Sequence, residues 1–142
     1  MSDDAHNVSV EQAKEVAVNF VNQNDLIEKP SSLKKGSKTI DNVVIVPDLE
    51  NEPALYVVRF QGAGYAVISA TTKESPVIGF SDEEVFDAET VPSGMADWFF
   101  ERMYKIQSVR NNEEYEIPEE VNAEWAKVLR PLILTRNHLP LL

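Results

Sequence analysis

Residues 54–81, ALYVVRFQGAGYAVISATTKESPVIGFS, pack β-branched and aromatic residues between turn signals more densely than any other stretch of the chain. They read as three consecutive strands. Over Leu55–Phe60 the side chains alternate, with Tyr56, Val58 and Phe60 on one face and Leu55, Val57 and Arg59 on the other, the period of two of a pleated strand. Gln61-Gly62-Ala63-Gly64 turns the chain, its two glycines free to take positive φ. Tyr65–Ala70 follows with Tyr65, Val67 and Ser69 opposed to Ala66, Ile68 and Ala70. Neither of these faces is strongly polar, which predicts a central strand covered on both sides. After Thr71-Thr72-Lys73-Glu74-Ser75-Pro76, Val77–Phe80 is the third strand of the series.

On the amino-terminal side, Thr39–Val46, with Val43, Val44, Ile45 and Val46 in sequence, predicts one earlier strand, joined to Leu55 by the turn Pro47–Pro53. Before it lies a helix. Ser9 and Gln12 form an S-x-x-Q capping box, and Val10, Ala13, Val16, Ala17, Phe20 and Val21 recur at helical spacing to make a face that should lie on the sheet. Asn22-Gln23-Asn24 is expected to close the helix. Glu28-Lys29-Pro30-Ser31-Ser32 and Lys34-Lys35-Gly36 then read as an exposed loop.

Towards the carboxyl end, the acidic segment Ser81–Asp87 and the loop Val91-Pro92-Ser93-Gly94 precede a second helix whose face carries Met95, Trp98, Phe99, Met103 and Ile106. That helix should end near Asn111-Asn112. A third helix follows Pro118, with Glu119 and Glu120 placed favourably at its positive end and Val121, Trp125, Val128 and Leu129 on one face. Pro131 is expected to stop it. The fold class is therefore α+β: a four-stranded, mostly antiparallel sheet packed by an amino-terminal helix, with two further helices near the carboxyl terminus. Val16, Phe20, Val58, Phe60, Val67, Ile68, Ile78 and Trp98 are expected to share one core.

With 142 residues, 43% of them hydrophobic, the chain is long enough for one such core and short for two. We expect a single domain over residues 1–142, an ordered body at 8–130 and an apolar, basic tail at 131–142. No apolar run approaches the length of a membrane span, and the amino terminus MSDDAHNVSV lacks the basic and apolar regions of a secretory leader, as expected of a cytoplasmic chain or one already trimmed. Thirteen basic residues against 24 acidic ones give a net charge of −11. That balance argues against nucleic acid and anionic membrane as partners. It is uneven, because residues 126–142 hold Lys127, Arg130 and Arg136 and no carboxylate.

The chain contains no cysteine, so it offers neither a thiolate nucleophile nor a disulfide. His6 and His138 sit in the terminal segments away from other metal-ligand types, and are expected to be solvated. Ser69 lacks the G-x-S-x-G setting of a nucleophile and reads as a locally bonded strand serine. Gly62 and Gly64 precede no helix start of the phosphate-binding kind. Asp82, Glu83, Glu84 and Asp87 lack EF-hand spacing and read as a solvated loop, while Trp98 and Trp125 at helical spacing read as core. Nothing assembles nucleophile, base and orienting group, so no enzyme, metal or cofactor is expected.

Three pieces, in the right order, carry a resemblance. Val10–Gln23, VEQAKEVAVNFVNQ, resembles the opening helix of the propeptides of streptopain-like (C10 family) cysteine peptidases. Gly64–Phe86, GYAVISATTKESPVIGFSDEEVF, resembles their central "GGFVIVSAD…PPVLGYS…FD" block, and Val91–Phe99, VPSGMADWF, is similar to their "MPENLKSWL" segment. The similarity covers about residues 8–108 and extends to the stand-alone inhibitors that look like these propeptides.

It implies a protein that covers the cleft of such a peptidase, in a periplasmic or secreted setting. In that family an asparagine just before the "L-x-x-W/F" helix reaches into the cleft; the matching position here is Gly94, after Ser93, so the blocking side chain is missing. Val128–Asn137 looks like the junction at which the family's propeptide meets its peptidase. Partner contacts are therefore expected at Val91, Pro92, Ser93, Gly94 and Met95, a proline-stiffened loop, and at Arg130, Leu132, Ile133, Leu134, Arg136 and Asn137, as an extended strand suited to a peptide groove; the alternative is that Leu132, Ile133 and Leu134 fold back onto the domain's own core. The function expected is inhibition of a streptopain-like peptidase. The alternatives are a non-inhibitory interaction or folding-assistance module that kept the fold, or an isolated propeptide of a larger precursor.

Overall fold

The computed structural model describes residues 4–28 and 38–138, with residue 4 and residues 24–28 and 130–138 described by their backbone alone. A 3-10 turn, Asp4–His6, leads into α1, Val10–Glu28; the strands are β1, Ile40–Pro47, β2, Pro53–Phe60, β3, Tyr65–Ser69, and β4, Val77–Ser81, followed by α2, Ser93–Arg110, and α3, Glu119–His138. The sheet is an antiparallel meander in the order β1-β2-β3-β4. Its register places Val43 opposite Val58, Val57 opposite Val67 and Ala66 opposite Phe80. Gly62 and Gly64, at φ 88° and 96°, make the tight β2–β3 turn.

The capping box forms as the sequence predicts. Ser9 Oγ accepts the Gln12 amide at 3.1 Å and Gln12 Oε1 accepts the Ser9 amide at 3.0 Å. Upstream, residues 6–8 run against 70–72, with Val8 donating its amide to Ala70 and Thr72 donating to the His6 carbonyl, each at 2.9 Å. Tyr56 adds a phenol hydrogen bond to the Val8 carbonyl at 2.6 Å. The start of α1 is thereby anchored to the sheet before its apolar face begins. His6 is accordingly half-buried and hydrogen-bonded to Thr72 Oγ1 at 2.7 Å rather than solvated; the His138 side chain is outside the described residues.

α1 continues past Asn22–Asn24 to Glu28. Neither Gly nor Pro interrupts Asp25-Leu26-Ile27, and the first strong breaker is Pro30, which disfavours helical geometry in the residue before it. The loop expected at Glu28–Gly36 falls, beyond Glu28, outside the described residues.

Two cores form, one on each face of the sheet, in place of the single core expected. Val16, Val58, Phe60 and Ile68 lie with α1 and α3, and Phe20 packs at their margin. Val67 belongs to the other face, where α2 contributes Phe99, Met103 and Ile106 and where Ile78 and Trp98 pack at the edge. The physical reason is the full burial of both faces of β2 and β3: Leu55, Val57 and Val67 on one side, Val58 and Ile68 on the other, are at most 1% exposed, so each face needs its own helical cover. Phe20 is only half-buried, in edge-to-face contact with Phe80 at 5.3 Å between centroids. Its truncation should therefore cost less than the ~3–5 kcal/mol of a fully buried phenylalanine.

α3 buries Val121, Trp125, Val128 and Leu129 against α1 and the sheet, and Trp125 Nε1 donates to the Glu74 carbonyl at 2.7 Å. Pro131 does not stop this helix, and residues 131–138 are helical rather than extended. A proline inside a helix removes the donor for the carbonyl four residues back, here that of Lys127. Gln23 Nε2 of α1 supplies the substitute at 3.1 Å, and Asn19 Nδ2, one turn earlier, donates to the next carbonyl, that of Val128. Two polar residues of α1 thus bridge the breach.

Candidate functional site

The route to α2 is tied down at several points. Gly64 donates its amide to the Glu84 carbonyl at 2.9 Å, and at φ 96° a Cβ there would stand 3.1 Å from the Ser81 and Asp82 carbonyls, so the close crossing needs glycine. Phe86 then inserts between Tyr65 and Phe99, 5.6 Å from each ring. The Asp87 carboxylate turns the chain by accepting the Glu89 amide at 3.0 Å. That amide and a Thr90 hydroxyl, with a lesser contribution from Arg59, hold the carboxyl below its ordinary range against the opposing effect of desolvation. Val91 and Pro92 follow, directly before the helix.

Pro92, at φ −60° and ψ 151°, is the residue capping α2, and no side chain caps that helix start. The first backbone bond of the helix is Ala96 to the Pro92 carbonyl at 2.9 Å, and no described residue accepts the amides of Ser93, Gly94 and Met95. Three donors consequently face outward at the positive end of the helix. Pro92, Ser93 and Gly94 are exposed, while Val91 and Met95 are half-buried on the α2-side core. Around the Gly94 Cα there is open space, since a Cβ would meet nothing within 4 Å.

The sheet holds this helix start from below. Trp98 lies against Gly79 so closely that a Cβ there would come within 3.0 Å of Trp98 Cη2. Trp98 also meets Phe99 edge-on at 5.2 Å and carries the Arg102 guanidinium over its ring at 5.4 Å. Two apolar grooves flank the element. One, of about 280 Å³, lies over Gly79 between Phe80, Met95 and Trp98. The other, of about 320 Å³, runs between β1 and α2, lined by Val44, Val46, Val91, Phe99, Phe100 and Met103 among others.

A family model of Spi protease inhibitors matches residues 5–106, which spans α1, the whole sheet and most of α2. The chain belongs to the Spi protease inhibitor family. That is the propeptide-like inhibitor family of C10 peptidases, so the resemblance carried by the helix, the central block and the VPSGMADWF segment is correct. No curated protein and no solved structure matches the chain. Membership gives this Spi-family chain a protease-inhibitor role in general and implies that it is not itself an enzyme.

The structure brings Val91, Pro92, Ser93, Gly94 and Met95 together at the start of α2. Arg130, Leu132, Ile133, Leu134, Arg136 and Asn137 fall on the far end of α3, and their side chains lie outside the described residues. Ser69 is locally bonded as expected, donating to the Thr71 carbonyl at 2.7 Å. Among the described residues no group of His, Asp and Glu could hold a metal ion, and no helix is long and apolar enough to cross a membrane. Sequence reasoning passed over the β1–α2 groove and the exposed Phe100 and Tyr104. The signal was present, because both aromatics fall outside the buried spacing of Met95, Phe99, Met103 and Ile106.

Proposed function

We propose that this chain binds and inhibits a secreted or periplasmic streptopain-like cysteine peptidase, covering its active-site cleft with the loop Val91–Met95. The observation that carries the reading is the start of α2 within the Spi-family match: a proline-fixed, side-chain-uncapped helix end whose first three amides have no acceptor among the described residues. Such a loop needs little ordering on binding. Its donors suit carbonyl and carboxylate oxygens lining a cleft, and the open space at Gly94 admits the peptidase's own backbone. The end of α3, with Arg130, Leu132, Ile133, Leu134, Arg136 and Asn137, is the second proposed contact, offered as a helix rather than as a strand.

Gly94 favours a second reading, in which the domain binds such a peptidase without obstructing catalysis, because the side chain that would enter the cleft is absent. Alkylation separates the two. A streptopain-like peptidase is treated with iodoacetamide in the presence and absence of excess inhibitor, and carboxamidomethylation of its catalytic cysteine is followed by mass spectrometry. Inhibition at the cleft predicts strong protection; unchanged labelling of a complex shown to be formed supports the second reading.

A further inference from the structure

The β1–α2 groove is apolar at its base and acidic at its rim. Val44 and Val46 of the edge strand form one wall, Phe99, Phe100 and Met103 the other, and Ala88 and Val91 close one end. Phe100 and Tyr104, each 53% exposed, stack on one another at 6.4 Å and 14° and extend the apolar surface outward from the groove. Exposed aromatics scattered singly are ordinary; a stacked pair adjoining a groove marks an interaction surface. Leu49, 62% exposed, stands near the far end of α2, its amide bound to Gln107 Oε1 at 2.8 Å.

Exposed carboxylates border this surface. Asp87 and Glu89 flank Ala88 in the chain, and Asp97 and Glu101, one turn apart, run beside Phe100 on α2. Arg59 offsets part of the Asp87 charge. The cations of α2 itself are engaged elsewhere: Arg102 lies over Trp98, Lys105 pairs with Glu74 at 3.1 Å and Arg110 is buried with Asp48. The rim therefore stays negative. An apolar slot with an acidic border selects a large apolar side chain flanked by Lys or Arg, the apolar part giving affinity and the charges giving orientation and encounter rate.

We propose that this groove is an exosite that seats a basic, apolar-anchored surface segment of the same peptidase, alongside the cleft contact made by Val91–Met95. The inference rests on the peptidase-binding reading above and adds to it which face is presented and what chemistry it recognises. Val91 lines the groove and begins the loop, so the two contacts form one continuous surface. The exosite supplies affinity, and the loop supplies obstruction.

The test compares the wild-type chain with Phe100→Ala and with Asp97→Lys/Glu101→Lys, all exposed substitutions, in binding to a streptopain-like peptidase whose cysteine has been alkylated, at low and at physiological salt. Circular dichroism and melting temperature verify that each variant is folded. The expected result is a Kd weakened at least tenfold by each variant, with the wild-type Kd rising with salt and that of the charge-reversed variant falling or staying flat. Wild-type binding matched by both variants overturns the exosite and leaves the loop contact standing. Absence of wild-type binding overturns both readings.

Discussion

Arg110 Nη2 donates to Asp48 Oδ2 at 2.7 Å, and the two side chains are 3% and 2% exposed. The pair joins the last residue of α2 to the β1–β2 turn. Arg110 Nη1 also donates to the Pro53 carbonyl at 2.7 Å, while Asp48 Oδ1 accepts the amides of Glu50 and Glu52 at 2.8 and 3.0 Å. Asn51, at φ 68°, takes the left-handed position in that turn, one that asparagine tolerates better than most residues. The ion pair thus fixes the end of α2 opposite the loop Val91–Met95.

Burial pushes the Asp48 carboxyl up, yet the amides of Glu52 and Glu50 and the Arg110 guanidinium together outweigh it and hold its pKa below the ordinary value of 3.8. A group whose pKa is depressed on folding contributes stability above its unfolded pKa and loses it as pH falls through the folded one. Wild-type stability should therefore decline below about pH 4, and Asp48→Asn should flatten that part of the curve. Arg110→Met, which strands the buried carboxylate, should cost about 3–5 kcal/mol at pH 7. Urea titrations of the three proteins between pH 2.5 and 7 measure both effects; an acid slope equally steep in Asp48→Asn would place its origin elsewhere.

The passage of α3 through Pro131 makes a second prediction. Gln23 and Asn19 each satisfy a carbonyl near the breach, so Gln23→Ala and Asn19→Ala should each destabilise by about 1 kcal/mol. Pro131→Ala restores the helix donor and should raise the melting temperature by relieving part of the ~3 kcal/mol that an interior proline costs. Amide exchange in residues 132–136 reports on the same segment. Slower exchange in Pro131→Ala and faster exchange in Gln23→Ala are expected; unaltered rates in both would mean that α1 does not support the end of α3.

What the sequence made legible was local. Alternation over Leu55–Ala70 and the spacing of Val121, Trp125 and Val128 reflect one element facing one side, and both are periodic in the chain itself. The fate of Pro131 depends on side chains more than 100 positions away, and the Asp48–Arg110 pair spans 62. Neither leaves a periodic trace. The two-sided burial of β3 was readable from its lack of a polar face, but that α2 and α3 cover opposite faces was not, because both helices carry similar apolar stripes. The loop Val91–Met95 was found by resemblance, whereas the groove beside it needed Val44, Val46 and Phe100 to be brought together in space.

Gly79 makes a third prediction. A methyl group there would press on Trp98 Cη2 at 3.0 Å, forcing the indole off the sheet or the start of α2 outward. Gly79→Ala should cost about 1–3 kcal/mol, as overpacking does, and weaken peptidase binding through displacement of Met95 and its neighbours. Trp98→Phe removes the colliding ring edge, so the Gly79→Ala/Trp98→Phe double variant should recover part of the loss in a double-mutant cycle. Additive losses would show that the two positions do not communicate.

If the loop opening α2 enters the cleft of a streptopain-like peptidase, Gly94→Asn should change how well it obstructs catalysis. The added side chain meets nothing in this chain within 4 Å of its Cβ, so the fold should be unaffected, while any group added at this position projects into whatever the loop covers. The measurement is residual hydrolysis of a fluorogenic peptide by an active-site-titrated peptidase as wild-type and Gly94→Asn proteins are added. Wild type should abolish activity at a one-to-one end point, and Gly94→Asn should have a lower inhibition constant. Full hydrolysis at a large molar excess of wild type, or inhibition identical in the two proteins, would contradict entry of the loop into the cleft.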